Sequence, residues 1–189
     1  MKMKKTISTI VVALFTISSW SQSNLIPINP EISSIHWVGK KVTGQHDGIV
    51  NLKSGVIEIT DGNLVGGQFE VDMNSITVQD LSGEYKEKLE GHLKSDDFFG
   101  VESFPTASLV ITKTEKKMEN HYAVTADLSV RGITHPVNFE MHLANNTASS
   151  KVIIDRSKYN VKFRSGSFFE NLGDNLIYDD FELDVVLKY

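Results

Sequence analysis

The sequence predicts an all-β chain of antiparallel strands, closed as a barrel or packed as a sandwich, with one helical interruption. Apolar and polar residues alternate with period two through most of residues 34–189: Tyr122, Val124, Ala126, Leu128 and Val130 against Ala123, Thr125, Asp127, Ser129 and Arg131. Turn signals such as Asp61-Gly62-Asn63 separate these runs at short intervals. A wet face on each strand excludes a parallel sheet covered on both sides. Roughly eight strands is the number that closes into a barrel filled by side chains or holding one small ligand. Periodicity does not separate barrel from sandwich.

Residues 1–21 stand apart. Lys2, Lys4 and Lys5 precede an apolar run over residues 7–17, and Ser19-Trp20-Ser21 follows. This layout predicts a secretory signal peptide cut near Ser21, hence a periplasmic or secreted mature chain. The run is shorter than the roughly 20 residues of a spanning helix. Residues 22–30 read as a leader into a domain over residues 31–189.

Strands are expected at residues 34–42, 46–60 (bent at Gly55), 66–78, 106–113, 122–131, 137–144, within 151–163, and at 180–189. A glycine inside a strand often marks a bulge. In the strand at 66–78, Phe69, Val71 and Met73 alternate with Gln68, Glu70 and Asp72. TEKKMENH (114–121) and NNTASS (145–150) read as loops. The pattern changes after Ser82: Tyr85, Leu89, His92 and Leu93 share one helical face, with Ser82 as the expected N-cap. Ser95 or Asp96 is expected to cap a second short turn carrying Phe98 and Phe99.

The chain of 189 residues has a formal charge of −5 and no cysteine. Loss of residues 1–21 makes it more acidic, which argues against a nucleic-acid partner. Without cysteine there are no disulfides, thiolate metal sites or cysteine nucleophiles. No GxSxG, HExxH, phosphate-binding glycine loop or paired-histidine metal spacing occurs. GDNLIYDD (173–180) does not match EF-hand ligand spacing and reads as a solvated turn. No catalytic residue, metal or cofactor is expected.

Three blocks carry a resemblance. They are WVGKKVTGQHDG (37–48), GHLKSDDFF (91–99) with FPTA (104–107), and ADLSVRGITHPV (126–137); IDRSKY (154–159) adds a fourth stretch. They resemble the YceI-like family of secreted and periplasmic bacterial proteins. Ala126 stands where that family often has glycine, and Ser129 where it has threonine. The resemblance spans about residues 31–189. It implies an eight-stranded antiparallel lipocalin-like barrel with an apolar tunnel and a helical segment near residues 83–99 over its mouth, and it is compatible with a homodimer. Characterised members bind long apolar chains: polyisoprenoids, isoprenoid quinones or fatty-acid amides. The implied function is to sequester or carry such an isoprenoid or acyl ligand.

The expected tunnel lining is Val50, Leu52, Phe69, Val71, Phe98, Leu109, Ile111, Val124, Leu128, Phe139, Met141, Leu183 and Val185. A solid barrel core would use the same side chains. His46, Lys94, Arg131, His135 and Arg156 are the candidates for a polar mouth, where cations meet a phosphate or a histidine donates to a quinone or amide oxygen. His92 is expected to act structurally beneath the lid. Two other functions compete: a non-catalytic scaffold or partner of a membrane redox protein, with transient membrane contact, and a periplasmic hydrolase.

Overall fold

The computed structural model describes residues 24–189, so the expected signal peptide lies outside the described residues. In chain order the elements are β1 (Asn24–Pro27), β2 (Asn29–Lys41), β3 (Gly44–Thr60), β4 (Asn63–Val78), α1 (Gly83–Lys94), β5 (Thr106–Met118), β6 (His121–Val130), β7 (Ile133–Ala144), β8 (Thr147–Asp155) and β9 (Ile177–Lys188). Single 3-10 turns cover Arg156–Tyr159 and Gly173–Asn175.

Neighbouring strands are antiparallel. β2 pairs with β9, the order runs back through β8, β7, β6, β5 and β4, and β4 pairs with β3, which returns to β2. The ring of eight strands is closed, which decides for a barrel. β1 is the extra strand and adds to residues 56–59 of β3. The expected leader is therefore partly sheet. β5 and β6 also run through most of TEKKMENH, and β8 takes in Thr147–Ser150 of the expected loop. Period-two patterning is weak in these polar segments, and pairing to a neighbour extends them.

Three hairpins turn through pairs of residues at positive φ: Asp61-Gly62, Arg131-Gly132 and Asn145-Asn146. Such turns match the right-handed twist of the flanking strands. β3 bends where expected. The β3–β4 register shifts between Leu52 and Ser54, and Gly55 lies opposite Phe69. A Cβ on Gly55 would stand 2.8 Å from the Phe69 ring, so the missing side chain is the space this phenylalanine occupies.

The barrel has two unlike ends. At one lie the β2–β3 and β6–β7 turns, α1 and the long β8–β9 connection. At the other lie the β3–β4, β5–β6 and β7–β8 turns. That second end is solid: Ile57, Leu64, Tyr122, Val124 and Ala126 are at most 2% exposed. Burial of each large apolar side chain contributes about 1.5–3 kcal/mol.

Gly48 is the tightest strand contact. It faces Trp37 on β2 and Val78 on β4. A Cβ there would lie 1.8 Å from the Thr77 carbonyl oxygen and 2.7 Å from the Trp37 ring. Neither backbone nor a half-buried indole can retreat that far. Gly48→Ala is expected to destabilise the fold by about 3 kcal/mol, measured by urea unfolding. A loss near zero would show that β3 and β4 do not approach as described.

Candidate functional site

Between α1 and the solid end lies an apolar cavity of about 250 Å³. Its wall is built by strand alternation. Ile35 and Trp37 of β2, Val50 and Leu52 of β3, Phe69, Val71 and Met73 of β4, Leu109 of β5, Leu128 of β6, Phe139 and Met141 of β7, Val152 and Ile154 of β8, and Leu183 and Val185 of β9 border it. Lys40 and Tyr178, both exposed, also belong to the wall. The cavity therefore meets the surface where β2 and β9 run side by side.

The lid is α1 and the turn after it. Leu89, His92, Leu93, Phe98 and Phe99 face the cavity. The helix is fastened to the barrel by the Val78 N–H donating to the Glu90 carboxylate at 2.8 Å. Ser82 occupies the N-cap position, but its hydroxyl makes no capping bond. Tyr85, expected on the buried face, is 77% exposed, and burial within α1 is confined to Leu93 in its last turn. After the helix, the Ser95 N–H donates to the carbonyls of Gly91 and His92. No capping bond from Asp96 or Asp97 is present among the described residues. The Arg131 guanidinium instead donates to the Asp96 and Phe98 carbonyls.

His92 packs edge-on against Phe98 at 5.5 Å and Phe163 at 4.3 Å. Its ring nitrogens have no hydrogen-bond partner among the described residues. It stands beneath the lid as expected, and it also borders the cavity.

Eleven of the thirteen expected lining residues border the cavity. Ile111 and Val124 do not. Both are buried deeper, toward the solid end, where the barrel is filled. Among the five expected mouth residues, only His46 and Arg156 reach the wall. Lys94 ends α1 and lies outside the wall. Arg131 is the lid clamp just described and lies over the Phe104 ring. His135 rests edge-on against Tyr159 at 5.6 Å, where β7 parts from β8. Sequence reasoning missed Trp37, Ile35 and the β8 pair Val152 and Ile154. Their alternation was visible, but the assignment of inner faces passed over β2 and β8.

Arg156 borders the cavity without offering it a donor. It is 2% exposed. Its Nε donates to the Tyr178 carbonyl, one terminal nitrogen to the carbonyls of Val161 and Phe163, and the other to the Ile177 carbonyl. That last nitrogen also pairs with Asp179 at 3.3 Å. Burial pulls the Arg156 pKa below its ordinary value, and Asp179 and Asp155 oppose the shift. The Phe98 ring lies 5.4 Å from the guanidinium.

His46 is held differently. Its Nδ1 lies 2.8 Å from the Asp80 carboxylate, which also accepts the Asp47 N–H. Burial alone would raise the Asp80 pKa, but these bonds outweigh it and hold the carboxyl below its usual value. Nε2 of His46 is left unbonded, and Lys41, also in the wall, has no ion pair among the described residues. No group of three or more His, Cys, Asp or Glu side chains placed to hold a metal occurs among the described residues.

A closed eight-stranded barrel with an apolar cavity under a helical lid defines a lipocalin-like architecture. The chain belongs to the YceI-like domain family, whose pattern matches residues 27–189. It is 37% identical over 76 residues to a UPF0312 protein of Shewanella denitrificans, covering 40% of this chain and 38% of that one. It is 36% identical over 63 residues to a UPF0312 protein of Photorhabdus laumondii, covering 33% and 32%. These matches span less than half the length of the curated relatives. Among solved structures, BcnA of Burkholderia cenocepacia superposes with a TM-score of 0.68 at 18% identity, over 85% of this chain and 98% of that one. A polyisoprenoid-binding domain of Saccharophagus degradans, implicated in plant cell wall breakdown, gives 0.58 at 16%, over 85% and 95%. A Campylobacter jejuni YceI protein carrying a monobromobimane guest gives 0.57 at 14%, over 97% and 92%. At these identities the solved structures establish the shared fold.

Two substitutions test the site's frame. Arg156→Met removes the donors to four carbonyls and leaves Asp179 without its cation; it is expected to cost about 3–5 kcal/mol in urea unfolding. A cost below about 1 kcal/mol would mean that the guanidinium is replaceable there. Tyr159 is 1% exposed, its hydroxyl has no partner among the described residues, and burial pushes its pKa up to about 12. A raised pKa holds the proton more tightly in the folded chain, so this stability is present below about pH 10 and is lost as pH rises toward 12. Tyr159→Phe should match or exceed wild-type stability at pH 7 and unfold less steeply above pH 10. An unchanged alkaline slope would contradict the shift.

Proposed function

We propose that this protein binds one long apolar chain, an isoprenoid or acyl lipid, with the tail in the barrel cavity and the head group at the mouth. The observation that carries this reading is the apolar cavity itself, kept open under a lid of Leu89, Phe98 and Phe99 in a barrel whose other end is solid. Solvation supplies the affinity. Each CH₂ taken out of water contributes about 0.8 kcal/mol, so a tail of many carbons binds with few polar contacts.

The cavity is slightly smaller than the roughly 300–1,000 Å³ of typical ligand sites. A long tail therefore displaces the flexible side chains of Met73 and Met141, or leaves part of its length in the mouth. The wall offers hydrogen bonds from His92, Nε2 of His46, Lys41 and Tyr178 near the lid and mouth, and from the Trp37 indole N–H, which is buried with no partner among the described residues. These groups suit an oxygen-bearing head. The likeness in fold to a polyisoprenoid-binding domain supports the tail class.

On this reading the protein is a non-catalytic carrier, acting in the periplasm or outside the cell if residues 1–21 direct export. Its lipid comes from a membrane, with transient contact there.

Native mass spectrometry of freshly purified protein tests the proposal. The expected result is an added mass that organic solvent extracts and fragmentation identifies as a prenyl or acyl lipid. Leu128→Arg or Phe139→Arg should abolish loading while circular dichroism retains the β signal. Ligand-free protein that ignores offered prenyl and acyl lipids would favour a scaffold, and undiminished loading of a folded Leu128→Arg variant would reject this cavity as the site.

A further inference from the structure

The six histidines of the chain are not used alike. His36 bonds to Asp47 and His46 to Asp80. His92 sits between Phe98 and Phe163, and His135 rests on Tyr159. His121 and His142 remain, and they face each other. They are direct partners across β6 and β7, with ring centroids 4.3 Å apart and planes inclined by 33°. Neither ring has a hydrogen bond or an acidic partner among the described residues.

Ladder geometry explains the closeness. The Leu143 N–H donates to the Asn120 carbonyl at 2.9 Å. That bond joins the residue after His142 to the residue before His121, so this is a non-hydrogen-bonded pair. In such a pair the side chains stand closest, with Cα atoms about 4.5 Å apart. The neighbouring partners Tyr122 and Met141 are buried inside the barrel, so alternation places both imidazoles on its outer wall. This wall lies at the solid end, opposite the cavity mouth.

The geometry points to a two-imidazole chelate for a divalent transition metal, with Cu²⁺ preferred. Imidazole nitrogen suits copper, nickel and zinc and does not suit magnesium or calcium, and copper heads the divalent affinity order. One ladder holds both rings, so the second metal–nitrogen bond forms within the molecule, at high effective concentration. No third His, Cys, Asp or Glu is placed to complete the site among the described residues. Water fills the other positions, which sets the site apart from a closed four-ligand structural zinc centre. Met118 adds a soft donor to the same row. It is in register with His121 across the β5–β6 turn and 64% exposed.

The experiment is titration of the purified chain with CuCl₂, followed by calorimetry and electron paramagnetic resonance. The expected result is one Cu²⁺ per chain coordinated by two imidazole nitrogens. His121→Ala and His142→Ala should each weaken binding on the order of 100-fold, the loss expected when a chelate becomes a single contact. Both positions are on the half-exposed outer wall, so urea unfolding without metal should match wild type. NiCl₂ should raise the melting temperature of wild type, since a bridge between two strands exists only in the folded chain, and should leave either variant unmoved. Copper binding that persists at wild-type strength in the double variant, or a nickel shift that survives in it, would overturn the site.

Discussion

A charge buried beside an apolar cavity organises the mouth of this barrel. A guanidinium removed from water is costly unless each donor finds an acceptor. Arg156 meets that demand with four backbone carbonyls and Asp179, and the acceptors come from two distant pieces of chain. Val161 and Phe163 lie just after the 3-10 turn, and Ile177 and Tyr178 open β9. One side chain thus gathers both ends of the β8–β9 connection at the rim. Phe163 is held against His92, and Ile177 and Tyr178 are held in the cavity wall. A planar fork with five N–H groups can do this where a lysine, with one nitrogen, cannot.

The lid depends on a second arginine, this one half-buried. Arg131 sits at positive φ in the β6–β7 turn, from which its guanidinium reaches the carbonyls of Asp96 and Phe98. Glu90 anchors the helix itself to the end of β4. Phe98 is therefore fixed from both sides: its backbone by Arg131, its ring beside Arg156. The two cations hold the aromatic edge of a site whose wall is mostly hydrocarbon. The charged residues of GHLKSDDFFG serve the lid unequally, since the Ser95 N–H and hydroxyl cap the end of the helix and Arg131 holds the Asp96 and Phe98 carbonyls.

The strand order and closure come from simple constraints. Alternating side chains give each strand one apolar face, and eight such strands bury those faces by closing on themselves. Glycines at Gly48 and Gly55 let the strands approach and let Trp37 and Phe69 lie across the backbone. At the end away from the lid Ile57, Leu64, Tyr122, Val124 and Ala126 are sealed from solvent and lie outside the cavity wall, so the cavity is closed on that side.

By itself the sequence determined the strand patterning, the single helix after Ser82, the exclusion of disulfides and most of the inward-facing wall, because a period of two ties each side chain to one face. Val50, Leu128 and Val185 were legible for that reason. Tertiary structure alone decided where the cavity stops, so that Ile111 and Val124 fill the core while Leu109 and Leu128 border space. It also decided what the arginines do. Periodicity carries no information about which carbonyl a guanidinium meets, and Arg131, His135 and Arg156 took their roles from residues 5 to 35 positions away, or from a ring across a gap between strands.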